Sequence, residues 1–373
     1  MAIRLKELSS VLVRNYIAGV NTFIRGKPAI GKTHTINAFV EQMKTRVPEF
    51  KSWNFYAPTM SPMDIQASAP NYERNVLQFF NNEALPNAYV TPDVKGVIFF
   101  GELPNADPAT IKLLQKYVRG EDMSSVLRKP DGVMVIADGN RIEDKSGVQQ
   151  QGRAFMSSFE QLEAYTNADD NMEYAAKHTW HPTVQLFFKE NPALIDNYDE
   201  VYETSSAALQ RNAAARKANG GDNMTEEGKI GIWANMRSWD RISKKEYAAD
   251  ELGSAVTLAE AAGNLGSGVA AQYDAHKRIL GGLTSFADII ADPAKAIVPK
   301  DMSEQYQIAV VVALKAQEMH LPQIKVYGQR LPLELQAVIL RTMVMRKGFN
   351  LAENPAYTAW ITDKKLTALI GGR

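Results

Sequence analysis

The run Gly26-Lys27-Pro28-Ala29-Ile30-Gly31-Lys32-Thr33 fits the pattern G-x-x-x-x-G-K-S/T, and its flanks narrow the folds open to this chain. Upstream, Thr22-Phe23-Ile24 reads as a short strand. Downstream, Ile36, Phe39, Val40 and Met43 recur at helical spacing. A strand must therefore enter a glycine loop and leave it as a helix. Gly26 and Gly31 let the backbone curl so that its amides converge, and the helix beginning near Lys32 adds the positive end of its dipole. Such a concave, electropositive feature suits a polyphosphate. Lys32 places an ammonium on the β- and γ-phosphates, and the Thr33 hydroxyl suits a Mg²⁺ ion. Lys27, Pro28, Ala29, Ile30 and His34 complete the loop. The expected ligands are ATP and Mg²⁺.

Composition excludes several alternatives. A chain of 373 residues exceeds one small core, so two domains are expected. Its 45% apolar and 23% charged residues are those of a folded globular protein. Lys and Arg (42) balance Asp and Glu (42), which leaves no global positive field for nucleic acid. The absence of cysteine removes disulfides, thiolate zinc sites and cysteine nucleophiles. The histidines are scattered; His178 and His181, around Trp180, read as surface residues. The longest uncharged apolar run, Ile308 to Leu314, is far below the ~18 residues of a membrane span. The start, Met1-Ala2-Ile3-Arg4-Leu5-Lys6-Glu7, carries charge where a signal peptide is apolar. A cytoplasmic protein with no membrane partner is expected.

Leu5, Leu8 and Leu12 share a helix face, and Trp53 to Tyr56 reads as a second strand. Val97-Ile98-Phe99-Phe100 and Val133-Met134-Val135-Ile136-Ala137 are continuous apolar runs, as in parallel strands buried on both faces. Between them Asp107-Pro108 starts a crossover helix marked by Ile111, Leu114 and Val118. Residues 1–165 thus read as a three-layer α/β domain with a parallel central sheet. From about Asp169 the pattern is helical: a lid over 166–250, with an exposed loop near 211–229, then a helical extension over 251–373. Gly263, Gly266 and Gly268 follow no strand and read as helix-end glycines. The segment from Asn71 to Pro86, with Tyr72, Phe79 and Phe80, reads as a packed loop in preference to a projecting hairpin.

Hydrolysis requires a group that orients and polarises water besides a phosphate cradle. The run Val97 to Phe100 leads into Gly101-Glu102-Leu103-Pro104-Asn105-Ala106, which places Glu102 as general base and, with Thr33, beside the metal. The next buried strand ends in Asp138-Gly139-Asn140-Arg141, where the neutral amide of Asn140 can bond both water and phosphate.

These segments together resemble a MoxR-type AAA+ ATPase, particularly the versions carried by phages and their bacterial hosts. Gly26 to Thr33 matches Walker A, Phe99 to Ala106 resembles Walker B, and Ile136-Ala137-Asp138-Gly139-Asn140-Arg141 matches the sensor-1 strand. Ser61-Pro62-Met63-Asp64 and Pro70 resemble a loop between the second strand and Walker B. Trp233-Ala234-Asn235-Met236-Arg237-Ser238-Trp239 resembles a Pro-Arg-x-Trp sensor-2 stretch, with Met236 in place of proline. The resemblance implies an AAA+ P-loop sandwich followed by a helical lid. It further implies a hexameric ring with ATP between subunits, a protein partner with a von Willebrand factor A domain, and Arg237 as the residue that reports the γ-phosphate to the lid.

Two departures stand out. Gly101 occupies the position of the Walker B aspartate, and Ser158-Phe159 that of an arginine before phenylalanine. Metal affinity and trans activation are expected to weaken, with Arg153 and Arg141 as the nearest substitutes for the arginine. Three functions follow: a remodelling ATPase, a nucleotide-gated assembly module with little turnover, and a nucleic-acid motor, the last disfavoured by the neutral charge.

Overall fold

The computed structural model describes residues 2–124, 126–141, 144, 152–203, 232–344, 351, 354–362, 366 and 369. It divides into two compact units, Met1–Thr166 and Asn167–Arg373.

The first unit is built on alternation. In chain order it contains β1 (Ala2–Arg4), α1 (Leu5–Ala18), β2 (Thr22–Arg25), α2 (Lys32–Arg46) and β3 (Lys51–Tyr56). There follow β4 (Gln66–Asn71), β5 (Val76–Asn81), β6 (Gly96–Gly101), α3 (Pro108–Val118), β7 (Val133–Gly139), α4 (Arg153–Met156) and β8 (Glu160–Tyr165). Six strands form one sheet in the order β1-β8-β2-β7-β6-β3, and every pair is parallel. Successive residues of its central strands feed opposite cores. Ile24, Val97, Phe99, Met134 and Ile136 pack with Leu5, Leu8, Ile36 and Phe39 of α1 and α2. Phe23, Ile98, Phe100, Val135 and Ala137 pack on the other face with Ile111, Leu114 and Val118 of α3. Both faces being apolar, these strands are continuous hydrophobic runs. The Asp107 carboxylate caps α3, accepting from the amides of Ala109 (2.9 Å) and Thr110 (3.1 Å).

Three features of this unit differ from the sequence reading, the first being the edge strand β1, which pairs with β8. Residue Glu160 opens an additional strand, β8, that pairs with β2. The segment expected to be a packed loop contributes β5 to an antiparallel hairpin with β4, its turn closed by Asn75 at φ 50°. The hairpin is open to solvent: Tyr72 is 88% exposed and Leu77, Phe79 and Phe80 are exposed as well. Replacing both Leu77 and Phe80 by serine is expected to shift unfolding by no more than about 0.5 kcal/mol, checked by urea denaturation.

The second unit is helical throughout its described residues. Helices Ala168–Lys177, Pro182–Glu190, Met236–Leu252, Leu258–Leu265 and Ser267–Gly281 share a core centred on the buried rings of Phe187, Phe188, Trp239 and Tyr273. The later helices, including Met302–Lys315, Leu321–Gly328 and Leu333–Val344, build a separate core. The helices on either side of residue 250 bury apolar faces in the first of these cores. Of the three glycines, only Gly266 stands at a helix break (φ 81°); Gly263 and Gly268 lie inside helices. His181 is 3% exposed rather than on the surface. It precedes a helix, its Nδ1 accepts from the Thr183 amide, and its Nε2 lies 3.1 Å from Asp250. The loop expected near 211–229 lies outside the described residues.

Candidate functional site

The loop between β2 and α2 closes on itself through Lys32. Gly26 follows the strand so tightly that a Cβ there would sit 2.7 Å from the Ala164 carbonyl oxygen and 2.8 Å from Ile30 Cδ1. Ala29 (φ 62°) and Gly31 (φ 102°) take left-handed conformations that reverse the chain into the helix. Ile30 anchors the loop in the core, and Lys27, Pro28 and Ala29 remain partly accessible. Helix α2 starts at Lys32 with no side-chain cap and no acidic residue in its first turn. Its first amides and dipole are thus available to an anion. Thr33 and His34 lie exposed on that turn.

Lys32 is only 6% exposed. Its Nζ donates to the carbonyl oxygens of Gly26 and Lys27, each at 3.0 Å, and to Asn140 Oδ1 at 3.2 Å. Asn140, at the tip of β7, turns its Nδ2 toward both Glu102 carboxylate oxygens at 3.5 Å. Asn105 Nδ2 donates to Glu102 Oε2 at 3.2 Å. The structure thus joins the loop lysine, the strand-tip amide and the glutamate predicted from sequence into one connected group. Glu102 holds a left-handed backbone (φ 55°), uncommon for a side-chain-bearing residue. Asp138 Oδ1 accepts its amide hydrogen at 2.9 Å.

Asp138 and Asn105 were not singled out from sequence. Alternation along β7 is the signal that finds Asp138, two residues after Ile136 and on the same face. Asp138 is 3% exposed, and burial pushes its carboxyl up to about 6, against the lowering effects of the Glu102 amide and Lys32. The sign is unambiguous. The folded state holds this proton more tightly than the unfolded chain, so the group withdraws stability as pH rises from about 4 through about 6. Asp138→Asn is expected to remove that decline and to gain roughly 2–3 kcal/mol above pH 7, with little gain below pH 4. Urea unfolding at both pH values checks it.

Ser158, where the resemblance puts an arginine, has one beside it in space. Arg119, after α3, donates from Nε to Ser158 Oγ at 3.0 Å and also reaches the Ala154 carbonyl. Arg141 is committed to the buried Asp144 carboxylate, with NH2 at 2.7 Å and Nε at 3.3 Å. Arg153 is exposed at the start of α4. Arg237 lies in the second unit, exposed in the first turn of the helix Met236–Leu252, which Asn235 caps.

The donor set fits a magnesium–triphosphate. A buried ammonium and an uncapped helix start supply anion donors, and a threonine hydroxyl with the Glu102 and Asp138 carboxylates supplies hard oxygens. Among the described residues no three His, Asp or Glu gather as a metal cage, and Mg²⁺ needs none when phosphate oxygens and water complete its shell.

A parallel six-stranded sheet, a glycine loop at the head of α2 and a helical second unit make this an α/β fold with a P-loop-like turn followed by a helical region. No protein-family model matches the chain, and no curated protein does. Among solved structures it is similar to a provisionally assigned ATPase from Cytophaga hutchinsonii (12% identity, 92% of this chain and 83% of that one, TM-score 0.32). It is also similar to two single-substitution variants of Thermotoga maritima RuvB. One has 11% identity, covers 95% of this chain and 85% of that one, and gives a TM-score of 0.30. The other has 12% identity, 72% and 85% coverage, and a TM-score of 0.33. Likeness at this level adds nothing to the site's own geometry. No described helix is long and apolar enough to cross a membrane.

Proposed function

We propose that this chain is a MoxR-like AAA+ ATPase that binds ATP with Mg²⁺, hydrolyses it slowly, and as a ring oligomer remodels or assembles a protein partner. The observation that carries the reading is the bonded path Lys32–Asn140–Glu102, which couples the phosphate loop to a carboxylate suited to a general base. Lys32 and the α2 amides hold the phosphates, with Thr33 on the metal side. Glu102 takes a proton from water as its oxygen attacks the γ-phosphorus, and Asn105 and Asn140 hold the carboxylate for that transfer. The products are ADP and inorganic phosphate. Bound Mg²⁺ contributes neutralisation of phosphate charge.

Arg119, held at Ser158, joins Arg153 as an arginine available to a neighbouring subunit's site, and Arg237 acts from the lid. A hexamer and a von Willebrand factor A partner remain part of this reading through the resemblance alone. A second reading, a nucleotide-gated assembly module with little turnover, is favoured by Gly101 and Ser158. Phosphate release and particle mass, measured together with and without ATP, separate the two. Turnover well above background supports the ATPase, and nucleotide-driven assembly without turnover supports the module. The absence of both removes the proposal.

A further inference from the structure

The geometry points to Asp138 as the carboxylate that holds the water shell of the nucleotide's Mg²⁺, in place of a side chain that β6 does not provide. The inference rests on the nucleotide-binding reading above and assigns this role to a residue for which the sequence reading proposed none.

β6 and β7 run parallel with Phe100 opposite Ala137, so Gly101 and Asp138 lie side by side one step further toward the loop. Phe99 and Ile136, two residues earlier on each strand, both pack in the core beneath α2. Side chains two apart share a face, so Asp138 and any side chain at position 101 point to the same side of the sheet, the side that carries the phosphate loop. Gly101 offers nothing there. Asp138 lies within the electrostatic field of Lys32.

The two Asp138 oxygens are used unequally. Oδ1 accepts the Glu102 amide. Oδ2 accepts from none of the described residues, although the side chain is almost wholly buried. This oxygen is not among the fully buried atoms, so the nearly buried side chain keeps one edge that water can reach. That edge is suited to accept hydrogens from the waters bound to a cation. Mg²⁺ keeps several waters and takes one or two carboxylates beside its phosphates, so one such oxygen suffices. Asp138 thereby does two things at one strand tip. Oδ1 fixes the backbone of the general base, and Oδ2 receives the metal's water.

Transplanting the carboxylate tests this. A Cβ at Gly101 would meet Phe99 ring atoms at 3.6 Å and the Phe55 carbonyl oxygen at 3.7 Å, ordinary contacts that leave room for aspartate. Binding of a slowly hydrolysed ATP analogue to the full chain is measured by calorimetry with Mg²⁺ and with excess EDTA. The readout is the gain in affinity due to metal, and Mn²⁺ relaxation of the bound complex gives a second, activity-independent signal. Asp138→Asn is expected to shrink the metal-dependent gain by about 10–100-fold while leaving EDTA affinity unchanged. Adding Gly101→Asp to that variant is expected to restore it. An undiminished metal gain in Asp138→Asn, or failure of Gly101→Asp to restore a lost one, would overturn the assignment and leave nucleotide binding standing. No analogue binding by the parent chain under either condition would overturn the nucleotide reading and this inference together.

Discussion

Lys32→Ala is expected to lower affinity for ATP by about 100- to 1000-fold, the loss of one close charge pair at an effective dielectric near 20. The ammonium is buried, and its hydrogens already lie on the Gly26 and Lys27 carbonyls and on Asn140. Removing it takes away the loop's buried charge and also its clasp on the Gly26 and Lys27 carbonyls, so the amides lose their convergence. Lys32→Met keeps most of the stem and loses only the charge, so the two variants divide electrostatics from packing. Calorimetry with an ATP analogue provides the measurement, and unaltered binding in Lys32→Ala would refute the site.

The second large effect falls on turnover. Glu102→Gln is expected to reduce phosphate release by about 10²–10⁴-fold with nucleotide binding retained. The amide keeps an oxygen for the hydrogens from Asn105 and Asn140, so shape and position are preserved and only proton acceptance is lost. The left-handed backbone of residue 102 is held from outside by Asp138, which the substitution does not touch. Equal phosphate release from both forms would remove Glu102 from the chemistry. In that event the assembly-module reading gains.

Much of the first unit was legible because its physics is local. Continuous apolar runs at 97–100 and 133–137 announce strands buried on both faces, and Asp107-Pro108 announces a helix start. Lys32, Glu102 and Asn140 stand where motif spacing put them, each at the tip of a strand or the head of a helix. What stayed hidden depends on distant partners. β8 reads Glu-Gln-Leu-Glu-Ala-Tyr, and only Ala164 is buried, so no apolar pattern advertises it. The hairpin of β4 and β5 exposes its apolar residues, the reverse of the burial that periodicity detects. His181 looked superficial because its partner, Asp250, is remote in sequence. Asp138 drew no notice because its meaning lies in register with Gly101 on another strand. The extent of the helical core was hidden for a related reason, since a core shared by five helices leaves no mark at any single residue.

The strand that feeds the phosphate loop has a late-arriving frame. Thr22 of β2 pairs with Ile136 on one side and with Glu160 on the other, and Gly26 abuts the backbone of Ala164. During synthesis the ribosome must therefore release almost the entire first unit before both edges of β2 are satisfied. A nascent chain that stalls earlier carries the motif without its walls and offers an unpaired strand edge to chaperones or to aggregation. The shape of this loop thus marks completion of the domain, because the signature read first along the chain is among the last parts to be framed on both sides.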